Sequence, residues 1–316
     1  MIAGNTQQAR SRVAVLGAGT MGAARLGLDG SMPQSEGGGL MEGESKGQIW
    51  APRWWAVLLI GLALWAASVG VAFLTSNVIL LPTIVLLGSF LIPVTAVVWY
   101  LDHDPSPALS PRRIVAGFVI AGVIGVLAAS ILESLVVFGP GLIGNLKVGL
   151  IEEFVKGAAV VLIAWGLKSF GTRDGIVLGA TVGFGFAALE SSGYALASLF
   201  VVQGGQLSLS LSSVVLTELV RGVLAPFGHG LWTAILGGVI FHGARRGHLR
   251  FAWSILAAYL GVSILHAAFD SFGGIAGYIV ISIIGLLPLV WLWRRGDRSG
   301  WVRFRERVPQ PQAVEG

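Results

Sequence analysis

Apolar residues along this chain fall in runs of about 20, each long enough at about 1.5 Å per residue to cross a hydrocarbon core of roughly 30 Å. Short polar stretches carrying Pro, Gly and Arg separate the runs. The pattern predicts an all-α fold, a polytopic transmembrane helix bundle of about eight spans. These spans are Trp54–Leu74, Val78–Trp99, Ile114–Phe138, Leu146–Leu167, Ile176–Val201, Val214–Gly243, Phe251–Phe272 and Ile275–Trp293. Pro226 interrupts the sixth, whose membrane part is expected to begin near Gly222. Trp50, Trp54, Trp55, Trp99, Tyr100, Trp291 and Trp293 stand at span ends, where amphipathic rings favour the headgroup layer.

Three regions follow from this pattern. Residues 1–49, rich in Gly, Ser, Glu and Gln, are expected to be a disordered N-terminal extension. Residues 50–293 form the transmembrane helical domain, and residues 294–316 a basic cytoplasmic tail. Within the extension, Val13–Gly22 reads VAVLGAGTMG and sets Gly17, Gly19 and Gly22 at the dinucleotide spacing. That fingerprint works only inside a βαβ unit of a full sheet, and the first span arrives before a sheet can form. No nucleotide cofactor is therefore expected.

Composition supports lipid as the main partner: 54% of residues are hydrophobic and 12% charged, against roughly a quarter charged in a soluble domain. Lys and Arg number 21 against 16 acidic residues, but they sit in loops and the tail. This is a topology signal and gives no reason to expect nucleic acid. Lys46 and Arg53 precede span 1; Arg112 and Arg113, Lys168 and Arg173, and Arg245, Arg246 and Arg250 fill alternate loops. Lys147 is the exception in the opposite set. The alternation predicts a multi-pass cell-membrane protein with both termini cytoplasmic. With no cysteine, disulfides, thiol catalysis and thiolate metal sites are excluded.

Charged side chains inside a span cost about 2.5–3.5 kcal/mol each on insertion scales, so each needs a partner or a task. Span 4 carries Glu152, Glu153 and Lys156 in GLIEEFVKG, and span 5 carries Glu190 in GFGFAALESSG. Span 6 carries Glu218, Arg221 and His229 in TELVRGVLAPFGHGLW, and span 7 carries His266 and Asp270 in LHAAFDS. Counted along ideal helices, Glu152, Glu153 and His229 lie ~10 Å from the outer ends, and Glu190 and His266 ~20 Å from the inner ends. A common depth in the outer half predicts one shared, water-reachable site.

Paired carboxylates in a low-dielectric place rarely both ionise unless a cation neutralises one, and Lys156 at i+4 and i+3 can supply it. His266 and Asp270, at i and i+4, can fix an imidazole tautomer. This set suffices for peptide hydrolysis: a carboxylate takes a proton from water, an imidazole donates to the leaving amine, and a second imidazole or acid steadies the oxyanion. Glu153, Glu190, His229 and His266 are equally suitable ligands for a divalent metal such as zinc, so the cofactor expectation is none or such a metal. The chain lacks H-E-x-x-H. Ser191 or Ser192 with His229 or His266 could form a Ser–His pair, but no nucleophile-elbow glycine precedes either serine. Structural readings stand beside these: Glu152 and Glu153 in an ion pair with Lys156 or Arg221, Glu190 bonded to Tyr194, Glu133 snorkelling, and Gly179, Gly183 and Gly185 serving helix packing. A proton- or cation-coupled transporter or a scaffold is the alternative function, although the internal repeat usual in transporters is not evident.

The strings IEEFVKG, FAALESSGY, GHGLW and HAAFD, in this order on consecutive spans, resemble the PrsW-type intramembrane proteases, part of a wider membrane group that includes the CAAX prenyl proteases. The likeness covers roughly Leu146 to Asp270. It implies Glu152 and Glu153 as the catalytic pair, Lys156 as third member of an E-E-x-x-K motif, and His229 and His266 as further active-site residues with Asp270 one turn beyond. Glu190 stands where CAAX-type members usually carry His. The resemblance also implies substrates that are membrane-tethered proteins, notably anti-sigma factors, cut on the extracytoplasmic side.

Overall fold

The computed structural model describes residues 53–103, 106–244 and 251–296. The nucleotide-like Val13–Gly22 and most of the two terminal regions lie outside the described residues.

The chain is a helix bundle: α1 (Trp54–Thr75), α2 (Leu81–His103), α3 (Pro111–Val136), α4 (Leu142–Ala164), α5 (Thr172–Ser198), a hairpin of β1 (Phe200–Gln203) and β2 (Gln206–Leu209), then α6 (Leu211–Leu224), α7 (His229–His242), α8 (Trp253–Ser271) and α9 (Ile275–Arg295). Among the described residues, seven helical stretches are long and apolar enough to cross a membrane, with Leu211–His242 counted as one. Helix α4 has 23 residues and the length of a span, but it carries Lys147, Glu152, Glu153 and Lys156. The expectation of about eight spans thus meets seven such stretches, with α4 as a further helix of span length.

Local chemistry sets the element boundaries. Ser110 caps α3, its hydroxyl accepting from the Arg113 amide, and Pro111 follows at the first helical position. Ser76 takes a left-handed conformation to end α1. The expected break at Pro226 is present: a 3-10 turn over Ala225–Phe227 separates α6 from α7, because proline offers no amide to the preceding turn. Helix α7 therefore starts at His229. The hairpin departs from an all-helical expectation. The expected fifth span ends at Val201 and residues 202–213 fall between spans, yet Phe200–Gln203 pairs with Gln206–Leu209, Gln203 opposite Gln206 across Gly204 and Gly205. Both glycines have positive φ, the requirement of a two-residue hairpin turn.

Helices α5 and α7 make the most extensive contact in the bundle and carry much of its main apolar core, including the fully buried Trp232 and Leu178. The contact is close because glycine faces backbone. A Cβ at Gly179 would meet the Thr233 carbonyl, and one at Gly183 the His229 carbonyl. Gly185 points the other way, against Phe118 of α3. Close helix packing is what these glycines provide. Helix α1, by contrast, packs mainly on α2 and leaves Leu59, Ile60, Leu64 and Leu74 exposed, a surface suited to lipid.

Replacing Gly183 by Val is expected to force α5 from α7 at the level of His229. Overpacking typically costs about 1–3 kcal/mol, and a backbone obstacle cannot yield as a side chain can. Thermal unfolding of the detergent-purified variant should show a clearly lower midpoint; an unchanged midpoint would mean that the helices are not held this closely.

Candidate active site

Helix α4 supplies three charged groups on one face. Lys156 Nζ lies 3.1 Å from Glu152 Oε2 and 2.7 Å from Glu153 Oε1, as i, i+4 and i, i+3 spacing allows. Its third partner comes from α7: His229 Nδ1 at 2.8 Å. The ammonium also stands 4.3 Å from the Phe186 ring centre on α5. Lys156 and Glu153 have 0% exposure, so this charge is met wholly by protein groups.

An ammonium only donates, so His229 Nδ1 accepts and the ring proton is assigned to Nε2. That nitrogen lies 2.8 Å from Glu190 Oε2. The same Glu190 oxygen accepts from Arg221 Nη2 at 2.7 Å, while Arg221 Nε donates to Ser191 Oγ at 2.8 Å and its guanidinium stacks over the Tyr194 ring at 4.2 Å. Four elements are thus tied in series, from Lys156 through His229 and Glu190 to Arg221. His266 of α8 joins from the other side. Its Nδ1 is 3.0 Å from Glu153 Oε1, and its Nε2 is 3.3 Å from Asp270 Oδ2 and 3.7 Å from Glu152 Oε2. The two imidazoles meet edge to face, centres 5.0 Å apart.

A cavity of about 440 Å³ opens onto this cluster, with Glu190, Arg221, His229, His266, Asp270 and Tyr278 among its walls. Glu152 and Glu153 do not line it; they stand behind the two imidazoles. The structure thus brings together all five residues singled out in the sequence, and it arranges them in two tiers. The first of α7's turns adds the positive end of its helix dipole beside these acids.

Several partners differ from those expected. Arg221 pairs with Glu190 and not with the α4 glutamates, and its guanidinium lies over the Tyr194 ring. Ser191 Oγ accepts from Arg221, and Ser192 Oγ donates to the Leu189 carbonyl at 2.6 Å, so neither serine is held by a base. Glu133 is half-buried and its Oε1 has no hydrogen-bond partner, unlike a snorkelling group. Phe186 and Thr233 escaped notice. Phe186 precedes Glu190 by one helical turn, a spacing that was legible; Thr233, whose Oγ1 lies 3.5 Å from Glu153 Oε2, carried no signal. A second buried cluster also went unread: Glu218 Oε1 accepts from Ser89 Oγ at 2.8 Å, beside Gly88 and the Trp65 indole.

The fold and the cluster define a polytopic membrane protein with a buried acid–imidazole centre that opens on a cavity of mixed polar and apolar lining. The family model of the PrsW family intramembrane metalloproteases matches residues 110–293, more than half of the chain, and the chain belongs to that family. The match takes in α3 to α9 and therefore the whole cluster. Protease PrsW of Halalkalibacterium halodurans is 27% identical to the chain over 124 residues, 39% of this chain and 50% of the relative. The chain thus spans about half the length of that relative. No solved structure matches the chain.

The family's description implies a metal, and the donor chemistry fits one. Glu152, Glu153, His229 and His266 each offer a ligand atom, and these atoms lie within 4.8 Å of one another. Two carboxylates and two imidazoles are suitable ligands for zinc or a similar divalent ion. When bound, such an ion would polarise a carbonyl and activate water.

Proposed function

We propose that the protein is an intramembrane endopeptidase that hydrolyses membrane-tethered protein substrates near the extracytoplasmic face. The observation that carries this reading is the tiered cluster: His229 and His266 present to the cavity while Glu152 and Glu153 back them within hydrogen-bonding or ion-pairing reach. An amide bond placed in the cavity would lie against both imidazoles. Glu152, which lies 3.5 Å from His229 and 3.7 Å from His266, receives the proton of the attacking water, directly or through a ring. His266, oriented by Glu153 and Asp270, delivers a proton to the leaving amine. His229 and Arg221 offer N–H groups to the developing oxyanion. A divalent ion such as zinc, held by Glu152, Glu153, His229 and His266, fits the same chemistry.

The surroundings favour a substrate that arrives from the bilayer. An apolar groove of about 790 Å³ between α6 and α9 shares Val220, Leu224 and Tyr278 with the cavity at the cluster. A hydrophobic segment in that groove would bring its flanking backbone to the imidazoles. Membrane-anchored anti-sigma factors, to which the family resemblance points, have this form. With both termini cytoplasmic, the cluster falls in the outer half of the membrane.

The test is cleavage of a membrane-tethered substrate by the purified protein reconstituted in lipid. The intact chain should release a fragment, and His229→Ala or His266→Ala should abolish release while the protein still accumulates in the membrane. No release by the intact chain would end the endopeptidase reading and leave a transporter or scaffold in its place, and full release by both variants would remove the two histidines from the mechanism. Reporter fusions after Arg173 and within residues 203–213 should report opposite sides of the membrane.

A further inference from the structure

Three of the four residues able to hold a metal are already engaged by a cation belonging to the chain. Lys156 Nζ is 2.7 Å from Glu153, 2.8 Å from His229 and 3.1 Å from Glu152. We propose that Lys156 is the resident cation of this cluster, and that a divalent metal binds there only by displacing its ammonium. The inference rests on the hydrolase reading for the importance of the cluster, and its test reads metal content.

Geometry makes the two cations exclusive. An ion bound to the same oxygens would stand within a few ångströms of Nζ, in a place where little water screens like charges. Lys156 has no exposed surface, so the ammonium cannot gain solvation without leaving its position. It also holds His229 in an unsuitable form. With Nδ1 accepting from Lys156 and the proton on Nε2 facing Glu190, neither ring nitrogen has a lone pair free for a metal. Loss of the Lys156–His229 contact is therefore a condition of metal binding through this histidine. The Phe186 ring, 4.3 Å away, offers a displaced ammonium a cation–π face as partial compensation. His266 makes no hydrogen bond with Lys156, and both of its ring nitrogens face carboxylates, Nδ1 at Glu153 and Nε2 at Asp270.

The consequence is a site whose metal occupancy is set by one lysine. Removing the ammonium while keeping an unbranched apolar chain, as in Lys156→Met, leaves two buried carboxylates without a cation. They should then recruit one from solution. Wild type and Lys156→Met, purified in detergent, would be equilibrated with buffered zinc and their bound metal measured by mass spectrometry. Cobalt(II) in place of zinc would report coordination through its visible absorption. The variant is expected to bind zinc at least roughly tenfold more tightly than wild type, a change of the size found for groups adjacent to metal ligands. Lys156→Met combined with Glu153→Gln should lose that gain.

Equal or weaker zinc binding by Lys156→Met would overturn the proposal. If the variant fails to fold, wild type decides alone: one zinc per chain that survives prolonged dialysis against chelator, with a cobalt absorption that changes in His229→Ala, would overturn it equally. Weak, readily removed zinc would support it. Absence of cleavage by the wild-type protein would count against the endopeptidase reading and leave the metal result standing.

Discussion

Glu152→Gln is expected to remove nearly all cleavage while leaving a folded protein. The substitution keeps size and hydrogen-bonding capacity but cannot accept the proton of an attacking water. General base groups contribute about 10²–10⁴-fold to rate, so turnover in lipid should fall by that order. The stability effect should be small beside it, because Glu152 makes the longer of the two α4 contacts to Lys156, at 3.1 Å, and Glu153 can still neutralise the ammonium. Fragment release measured together with thermal unfolding separates the two effects. Equal loss of folding and of cleavage would mean that Glu152 is structural.

Glu153→Gln should behave differently, with the larger loss in stability. Glu153 is fully buried and joins Lys156 of its own helix to His266 of α8, with Thr233 of α7 on its other oxygen. Removing one partner of a buried ion pair typically costs about 3–5 kcal/mol, and here Lys156 keeps only its longer contact with Glu152 while His266 loses the carboxylate at its Nδ1. The melting midpoint should fall well below that of Glu152→Gln, and cleavage should also fail because His266 loses its orientation. Glu153→Gln combined with Lys156→Met should be more stable than the single losses suggest, since Glu152 alone is then left without its ammonium, against two buried carboxylates in Lys156→Met. A double variant less stable than the sum of the single ones would contradict this assignment.

Much of the bundle was legible because membrane spans write themselves as long apolar runs. Even α4, too charged to count as apolar, was legible through its neighbours and its length. Residues within one helix could also be paired: Lys156 with Glu152 and Glu153, and His266 with Asp270, follow from a turn of 3.6 residues. What could not be read was the relation between helices. Arg221 had no sequence reason to choose Glu190 over the α4 acids, and His229 had none to reach Lys156 with Nδ1. Such pairings depend on the rotation of α6 and α7 about their axes, which Pro226 and the close glycine contact set in three dimensions. The Ser89–Glu218 bond joins residues 129 positions apart, and an isolated serine in an apolar run announces nothing. The hairpin was a different case. Gly204–Gly205 between Val-Val-Gln and Gln-Leu-Ser-Leu is a two-residue turn signal, but ending the span at Val201 divides the first strand between a helix and the stretch that follows it.

Backbone against backbone is how α5 meets α7, at Gly179 and Gly183, and this bears on how the cluster works. His229 belongs to the very stretch that Gly183 touches, and Glu190 lies two turns further along α5. Side chains at a helix interface can shift rotamers and let helices slide, but abutting main chains leave no such slack. The acid–imidazole spacing is therefore fixed when the protein folds, before any substrate arrives. Charges and dipoles so preorganised need not be gathered during a reaction, and the reorganisation that water would demand has already been met by folding.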